Sequence, residues 1–350
     1  MEEPILLDNT APKKKQTCIE CDNPVIVKGY PNPLCEACRE KFIKYPIPKW
    51  IKLFAAGIVV LLLFSLSKLP KNILTAMHLE KGKTAIAEKK YITAQLELEK
   101  ADASLPGNQE TESYLLLAAY HNQDLATLFK MFESLKSKTF EDQELFSKVE
   151  SKIDQAQYFF PDDNFNALVN KNDSNYNNIP IDSLKAFTVK YPDNIYALYY
   201  YAGILSNKED YPNCDSVLRQ ILDLNASFSP ALELMSSVKR QENQFDSSIN
   251  YCNKILDINK ESAFAIASKA RTFLKQKKDA EALKLALESV SLDANNPYST
   301  GSLLLAYHFN NKQNEKQSLL KKIAAVQDTS YIASMQYVKD VISGKEIFRN

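Results

Sequence analysis

Two hydrophobic patterns divide the chain. Residues 53–67 are apolar without a charge, whereas beyond residue 70 apolar positions recur at helical spacing in one segment after another. The unbroken run predicts a helix that is apolar on every side. Taken as 50–69 it reaches about 30 Å, enough to cross a bilayer, with Lys52 and Lys68 reaching outward and Trp50 at the interface. A single transmembrane helix is expected there in preference to a buried core helix. A cleaved signal peptide fits less well, because the run follows a thiol-rich segment instead of opening the chain, although Ser65-Leu66-Ser67 has the small-x-small form of a cleavage site.

Behind that run the pattern repeats. A 34-residue offset relates the strings beginning at Ala197, Ala231 and Ala265, and small residues recur with it: Ala202, Ser236 and Ala270, then Cys214, Ser248 and Ala282. Large apolar residues keep the same step in Leu222, Leu256 and Val290, and in Leu224, Ile258 and Leu292. Antiparallel helices approach closely only where small side chains face each other, and larger ones fill the gap to the next pair. The pattern resembles the tetratricopeptide repeat (TPR), whose small, aromatic, small, apolar, small and proline positions are matched by Gly82, Tyr91, Ala94, Leu98, Ala101 and Pro106. Pro192 falls at the family's terminal proline, and Tyr211 and Phe245 at its aromatic position, where Asp279 departs from it. The signature thins over 109–180, which includes the Asn-rich stretch before Pro180, and again after about residue 297.

The expected fold is therefore all-α, a TPR-like α-solenoid of roughly six helix pairs over 71–328, with a capping helix and tail at 329–350. The resemblance implies a concave groove lined by first helices that binds peptides or partner helices. It places Tyr196, Tyr199, Arg240, Phe264 and Arg271 toward that groove, where aromatics with arginine suit acidic or carboxylate-ended ligands. Each tyrosine can equally serve packing between repeats. Cys214 and Cys252 stand at small or apolar repeat positions, which makes them packing residues before they are nucleophiles.

Four of the six cysteines lie ahead of the apolar run, as C-x2-C-x13-C-x2-C over Cys18, Cys21, Cys35 and Cys38. That spacing suits a four-cysteine zinc ribbon or treble clef over 18–48, with a β-hairpin between the pairs and a helix opening at the second pair. Disulfide or redox use is the alternative. Four thiolates close a zinc site, so the Zn2+ would be structural. Residues 1–17 read as a disordered tail. Lys13, Lys14, Lys15 and Lys28 lie nearby, but no base-reading helix or interleaving of aromatic and basic residues accompanies them, so nucleic acid is not expected as a partner.

Charge adds little direction. Lys+Arg and Asp+Glu both total 43, so the chain as a whole is drawn neither to nucleic acid nor to anionic lipid. Arg39, Lys41, Lys44, Lys49 and Lys52 flank the apolar run on one side, and Lys68, Lys71, Lys81 and Lys83 on the other. Reduced thiols decide the orientation, since they persist most readily in a reducing compartment. The expectation is a single-pass inner- or plasma-membrane protein of a bacterium with the clip cytoplasmic and the repeats outside. With 7 Gly and three separated His, no phosphate loop, acid–base pair or open metal site is evident, so an enzyme and a small-molecule substrate are not expected. The favoured function is a membrane-anchored scaffold or adaptor in envelope assembly, secretion or quality control. The alternative is a transmembrane sensor whose clip contacts nucleic acid or a cytosolic effector.

Overall fold

The computed structural model describes residues 16–44 and 48–349, with side chains described except at 43–44 and 65–71. The expected tail over 1–17 falls almost wholly outside the described residues. The chain forms two compact units, Met1–Pro70 and Lys71–Asn350.

In the first unit the clip is a set of turns followed by α1 (Glu36–Lys44). The sequence suggests a hairpin between the cysteine pairs, but the described residues form no strand there. Ile19 N–H donates to Pro33 O at 3.1 Å and Val27 N–H to Leu34 O at 3.0 Å, which draws the two arms together. Pro24, Pro31 and Pro33 lack the N–H groups a ladder would need. α2 (Lys49–Ala87) begins in this unit and ends in the next. Leu53, Phe54, Val60, Leu61 and Phe64 are each more than half exposed on it. Among the described residues no helix is long and apolar enough to cross a membrane. The expected span over 50–69 runs into side chains outside the described set.

Helices are the regular structure of the second unit among its described residues. After the end of α2 come α3 (Tyr91–Ser104), α4 (Gln109–Asn122), α5 (Leu125–Leu135), α6 (Gln143–Ala156), α7 (Asp163–Asn170) and α8 (Ile181–Lys190). A regular ladder follows: α9 (Ile195–Asn207), α10 (Tyr211–Leu224), α11 (Ser229–Gln241), α12 (Phe245–Ile258), α13 (Ala263–Lys275), α14 (Asp279–Leu292), α15 (Pro297–Phe309) and α16 (Gln313–Ala324). First helices start at 195, 229, 263 and 297 and second helices at 211, 245, 279 and 313, so the step is 34 residues each time.

The turn inside each pair is the same device. Glu209, Asn243, Lys277 and Asn311 are left-handed, with φ between 56° and 60°, and Lys89 and Gln123 do the same in the first two pairs. The next N–H then reaches back to the preceding helix, as Asp210 N–H does to Leu205 O and Lys278 N–H to Phe273 O, both at 2.9 Å. The chain thus closes its helices without the glycine usual at this place.

Small residues do what their spacing implies. Ala202, Ser236, Ala270, Cys214, Ser248 and Ala282 are all fully buried. Ser248 Oγ donates to Ser236 O at 2.8 Å and the Cys214 thiol to Ala202 O at 3.2 Å, a contact open only to small side chains at close approach. At Gly82 an added Cβ would fall 2.5 Å from Leu98 Cγ. The step continues through α15 and α16, where the signature thins, because Leu304 and Lys316 replace the small residues in the last pair.

The ladder and the first pairs meet directly. Lys260 N–H donates to Lys89 O at 2.9 Å, and Thr93 N–H and Oγ1 donate to the Glu261 carboxylate at 2.8 and 2.7 Å. Asn259 Nδ2 donates to Asn122 Oδ1 at 3.1 Å, and Gln123 Nε2 to Glu233 Oε1 at 2.7 Å. The array therefore closes on itself through a polar seam. Residues 329–350, expected as one capping helix and a tail, form α17 (Thr329–Ser334) and α18 (Gln336–Ile342), followed by a described tail that reaches Arg349.

Candidate metal centre and binding face

The clip turns bring four thiols together. Cys18 N–H donates to Asn23 O and Asp22 N–H to Cys18 O, both at 2.9 Å, which folds the first knuckle over a left-handed Asp22. The second pair sits at the start of α1. All four Sγ atoms lie within 4.8 Å of one another, and Cys21 and Cys35 are 3.6 Å apart. A tetrahedral zinc with sulfur at about 2.3 Å needs sulfurs about 3.8 Å apart, so the donor set fits such an ion. Electrostatics agree. Backbone N–H donors, that of Cys35 foremost, bring Cys18 down to about 6. Hydrogen bonding among the thiols, Cys21 first and then Cys35, pushes Cys38 up to about 12. Four thiols this close cannot all ionise without a cation between them. The cluster could thus bind a metal ion, and its four sulfurs leave no position for a substrate.

Cys214 and Cys252 are buried in the ladder. Burial pushes the Cys214 thiol up to about 12 and raises Cys252 as well, so neither is an activated nucleophile.

The five residues assigned to the groove fall into two places. Tyr196 and Tyr199 line a cleft of about 710 Å³ together with Tyr176, Tyr200 and Leu234. Both rings also pack inward, Tyr196 on Phe165 at 5.2 Å and Tyr199 on Phe228 at 5.9 Å. Phe264, Arg240 and Arg271 gather around Tyr298. Phe264 stacks on its ring at 4.5 Å, Arg271 Cζ lies 3.8 Å from the ring centroid, and Arg240 Nη2 donates to its hydroxyl at 3.2 Å. Arg240 Nη1 also donates to Ser268 Oγ at 2.8 Å and Arg271 Nε to Ser302 Oγ at 2.7 Å. Burial lowers Arg271 from its ordinary value. For Tyr298, burial works against ionisation, but the charges of Arg240 and Arg271 outweigh it and bring the hydroxyl below its usual value.

Tyr298, Ser268 and Ser302 do not stand out in the sequence, although a signal is present. Tyr298 lies one 34-residue step beyond Phe264, and Ser302 one step beyond Ser268. Phe264 also edges a second cleft of about 510 Å³, beside the polar seam, lined by Glu99, His121, Asp124 and Glu233 among others.

No protein-family model and no curated protein matches the chain. Similar solved structures include MamA, at 12% identity over 52% of this chain and 93% of that one, with a TM-score of 0.35. Pseudomonas aeruginosa pilF is 11% identical over 76% of this chain and 98% of that one, with a TM-score of 0.30. YrrB, a TPR protein with an unusual peptide-binding site, is 10% identical over 67% and 95%, with a TM-score of 0.28. The class rests on the molecule's own build: an all-α TPR-like array of helix pairs, preceded by a four-thiol cluster.

Proposed function

We propose that the chain is a membrane-anchored scaffold whose helical array captures protein segments on its first-helix face, with a structural zinc clip on the cytoplasmic side and the array outside. The observation that carries the capture reading is the Phe264–Tyr298–Arg271–Arg240 cluster, in which aromatic rings and two guanidiniums converge on one face of α11, α13 and α15. Aromatic and arginine side chains on rigid helices are what binding hot spots are made of. Two guanidiniums favour an acidic or carboxylate-ended peptide over a basic one. The anchor reading is supported by the run of exposed apolar residues on α2, for which hydrocarbon is a better solvent than water. Envelope assembly, secretion or quality control would each use such a tethered recruiter. Enzymatic chemistry forms no part of this proposal.

Crosslinking and pull-down from membranes test it, with an Arg240→Ala/Arg271→Ala variant as control. The expected result is loss of specific partners in that variant. Retention of every partner would remove this face from consideration. Alkaline extraction of membranes should leave the chain in the pellet. Protease added to intact cells should cut the array and spare the clip, and the reverse pattern would invert the topology.

A further inference from the structure

Met335, Val338 and Val341 recur at every third position and are all buried. They share one cluster with Ala270, Leu274 and Leu303, and α18 packs on α15. At Gly301 an added Cβ would fall 3.1 Å from both Val338 Cγ2 and Arg271 Nη2, and 3.4 Å from Met335 Sδ. The C-terminal segment therefore covers the stretch of α15 against which Arg271 rests. Tyr337 faces the same pair: burial raises its hydroxyl, and the charges of Arg271 and Arg240 pull the other way. Beyond α18, Phe348 meets Phe309 at 5.5 Å and Arg349 holds both oxygens of Asp279.

Beneath this cover the arginines are spent on neutral groups. Their hydrogen-bond acceptors among the described residues are serine hydroxyls, the Tyr298 hydroxyl and the Tyr298 carbonyl. Asp340 of α18 is instead engaged by Gln336 and Lys345. Two shielded guanidiniums without a carboxylate partner are costly, and an arriving anion would relieve that cost. The cover is short, two helices of 6 and 7 residues held by the apolar strip, by Phe348 on Phe309 and by Arg349 on Asp279 and the Leu274 carbonyl. It lies outside the 34-residue ladder.

We propose that the segment 329–349 is an intramolecular cover on the binding face, which lifts off to admit an acidic segment of a partner protein to the Arg240–Arg271 pair. This rests on the reading of that face as a binding face. The full chain in detergent tests it, by hydrogen exchange and by titration with labelled hexaglutamate. Amides of α18 should exchange at least about tenfold faster than those of α13 and α15. Val338→Asn, which breaks the apolar strip without placing a carboxylate beside Arg271, should tighten hexaglutamate binding about tenfold, and adding Arg240→Ala and Arg271→Ala should abolish the gain. Should Val338→Asn fail to fold, Arg349→Ala carries the same test with a smaller gain. Exchange of α18 only on global unfolding, or release without tighter binding, overturns the cover. Membrane partners that survive the Arg240→Ala/Arg271→Ala change overturn the binding face itself, whatever α18 does.

Discussion

Lys277 sits in the left-handed region with φ 60°, where its Cβ crowds the following carbonyl. Glycine has no such crowding, so Lys277→Gly should stabilise the array by about 0.5–1 kcal/mol after its extra unfolded-state entropy is counted. Urea melts of the two proteins would show it, and an unchanged midpoint would mean the turn carries no strain. Two glycines give a sharper contrast. Gly203 has open space around a new Cβ, whereas Gly82 abuts a fully buried Leu98 at 2.5 Å. Gly203→Ala should gain about 0.5–1 kcal/mol from helix propensity. Gly82→Ala should lose about 1–3 kcal/mol, because overpacking outweighs propensity there. Similar midpoints for both variants would contradict the close approach of α2 and α3.

At the scale of elements, the polar seam joins two titrating groups of opposite sign. His121 stacks on Tyr91 at 4.0 Å, and burial, helped by the charges of Lys152 and Lys89, lowers it from 6.5 to about 3. The unfolded chain then binds more protons than the folded one between those values, so stability from this group is full above pH 6.5 and is lost as pH falls. Burial raises Glu233 from 4.5 to about 7, with Gln123 as its donor. Its contribution is present below pH 4.5 and is lost as pH rises toward 7. The two slopes oppose each other in the overlap. Glu233→Gln should expose the histidine's slope, with stability climbing more steeply with pH up to about 6.5, and His121→Phe should expose the falling one. Urea midpoints at several pH values give the answer. Identical profiles in all three proteins would show that neither group is shielded as described.

The same elements show what could be read in advance. The 34-residue step was legible because Ala202, Ser236 and Ala270 must be small for α9, α11 and α13 to meet their partners. Its continuation through α15 and α16 lay within the pairs expected up to 328, although the signature is weaker there because Leu304 and Lys316 stand at the small positions. The arginines were legible as charges on a helix face. Their partners Ser268, Ser302 and Tyr298 were not, because a hydroxyl serves a surface as readily as a core. Nor could the seam be foreseen. No local pattern near Lys89 points to a partner 168 residues away in sequence.

For the molecule as a whole, the two units should respond separately to metal. The clip has little apolar core, so an ion at Cys18, Cys21, Cys35 and Cys38 would supply most of its folding free energy. Purified chain should release about one zinc per molecule on treatment with a strong chelator and thiol reagent. Exchange protection in α1 should vanish while the far-ultraviolet signal of the array barely changes. A Cys18→Ser/Cys35→Ser variant should bring no zinc through purification. If that variant holds metal at the wild-type level, the four-thiol assignment is wrong.

The seam also bears on how the protein is made. Its loop at Lys260 reaches the first repeat at Lys89 across most of the array. At ribosomal speeds of roughly 5–20 residues per second, that loop emerges about 9–34 s after the repeat it joins. The repeat that follows the apolar stretch of α2 therefore builds its own core first, and Lys89 and Thr93 stay with water until a distant stretch of the same chain arrives.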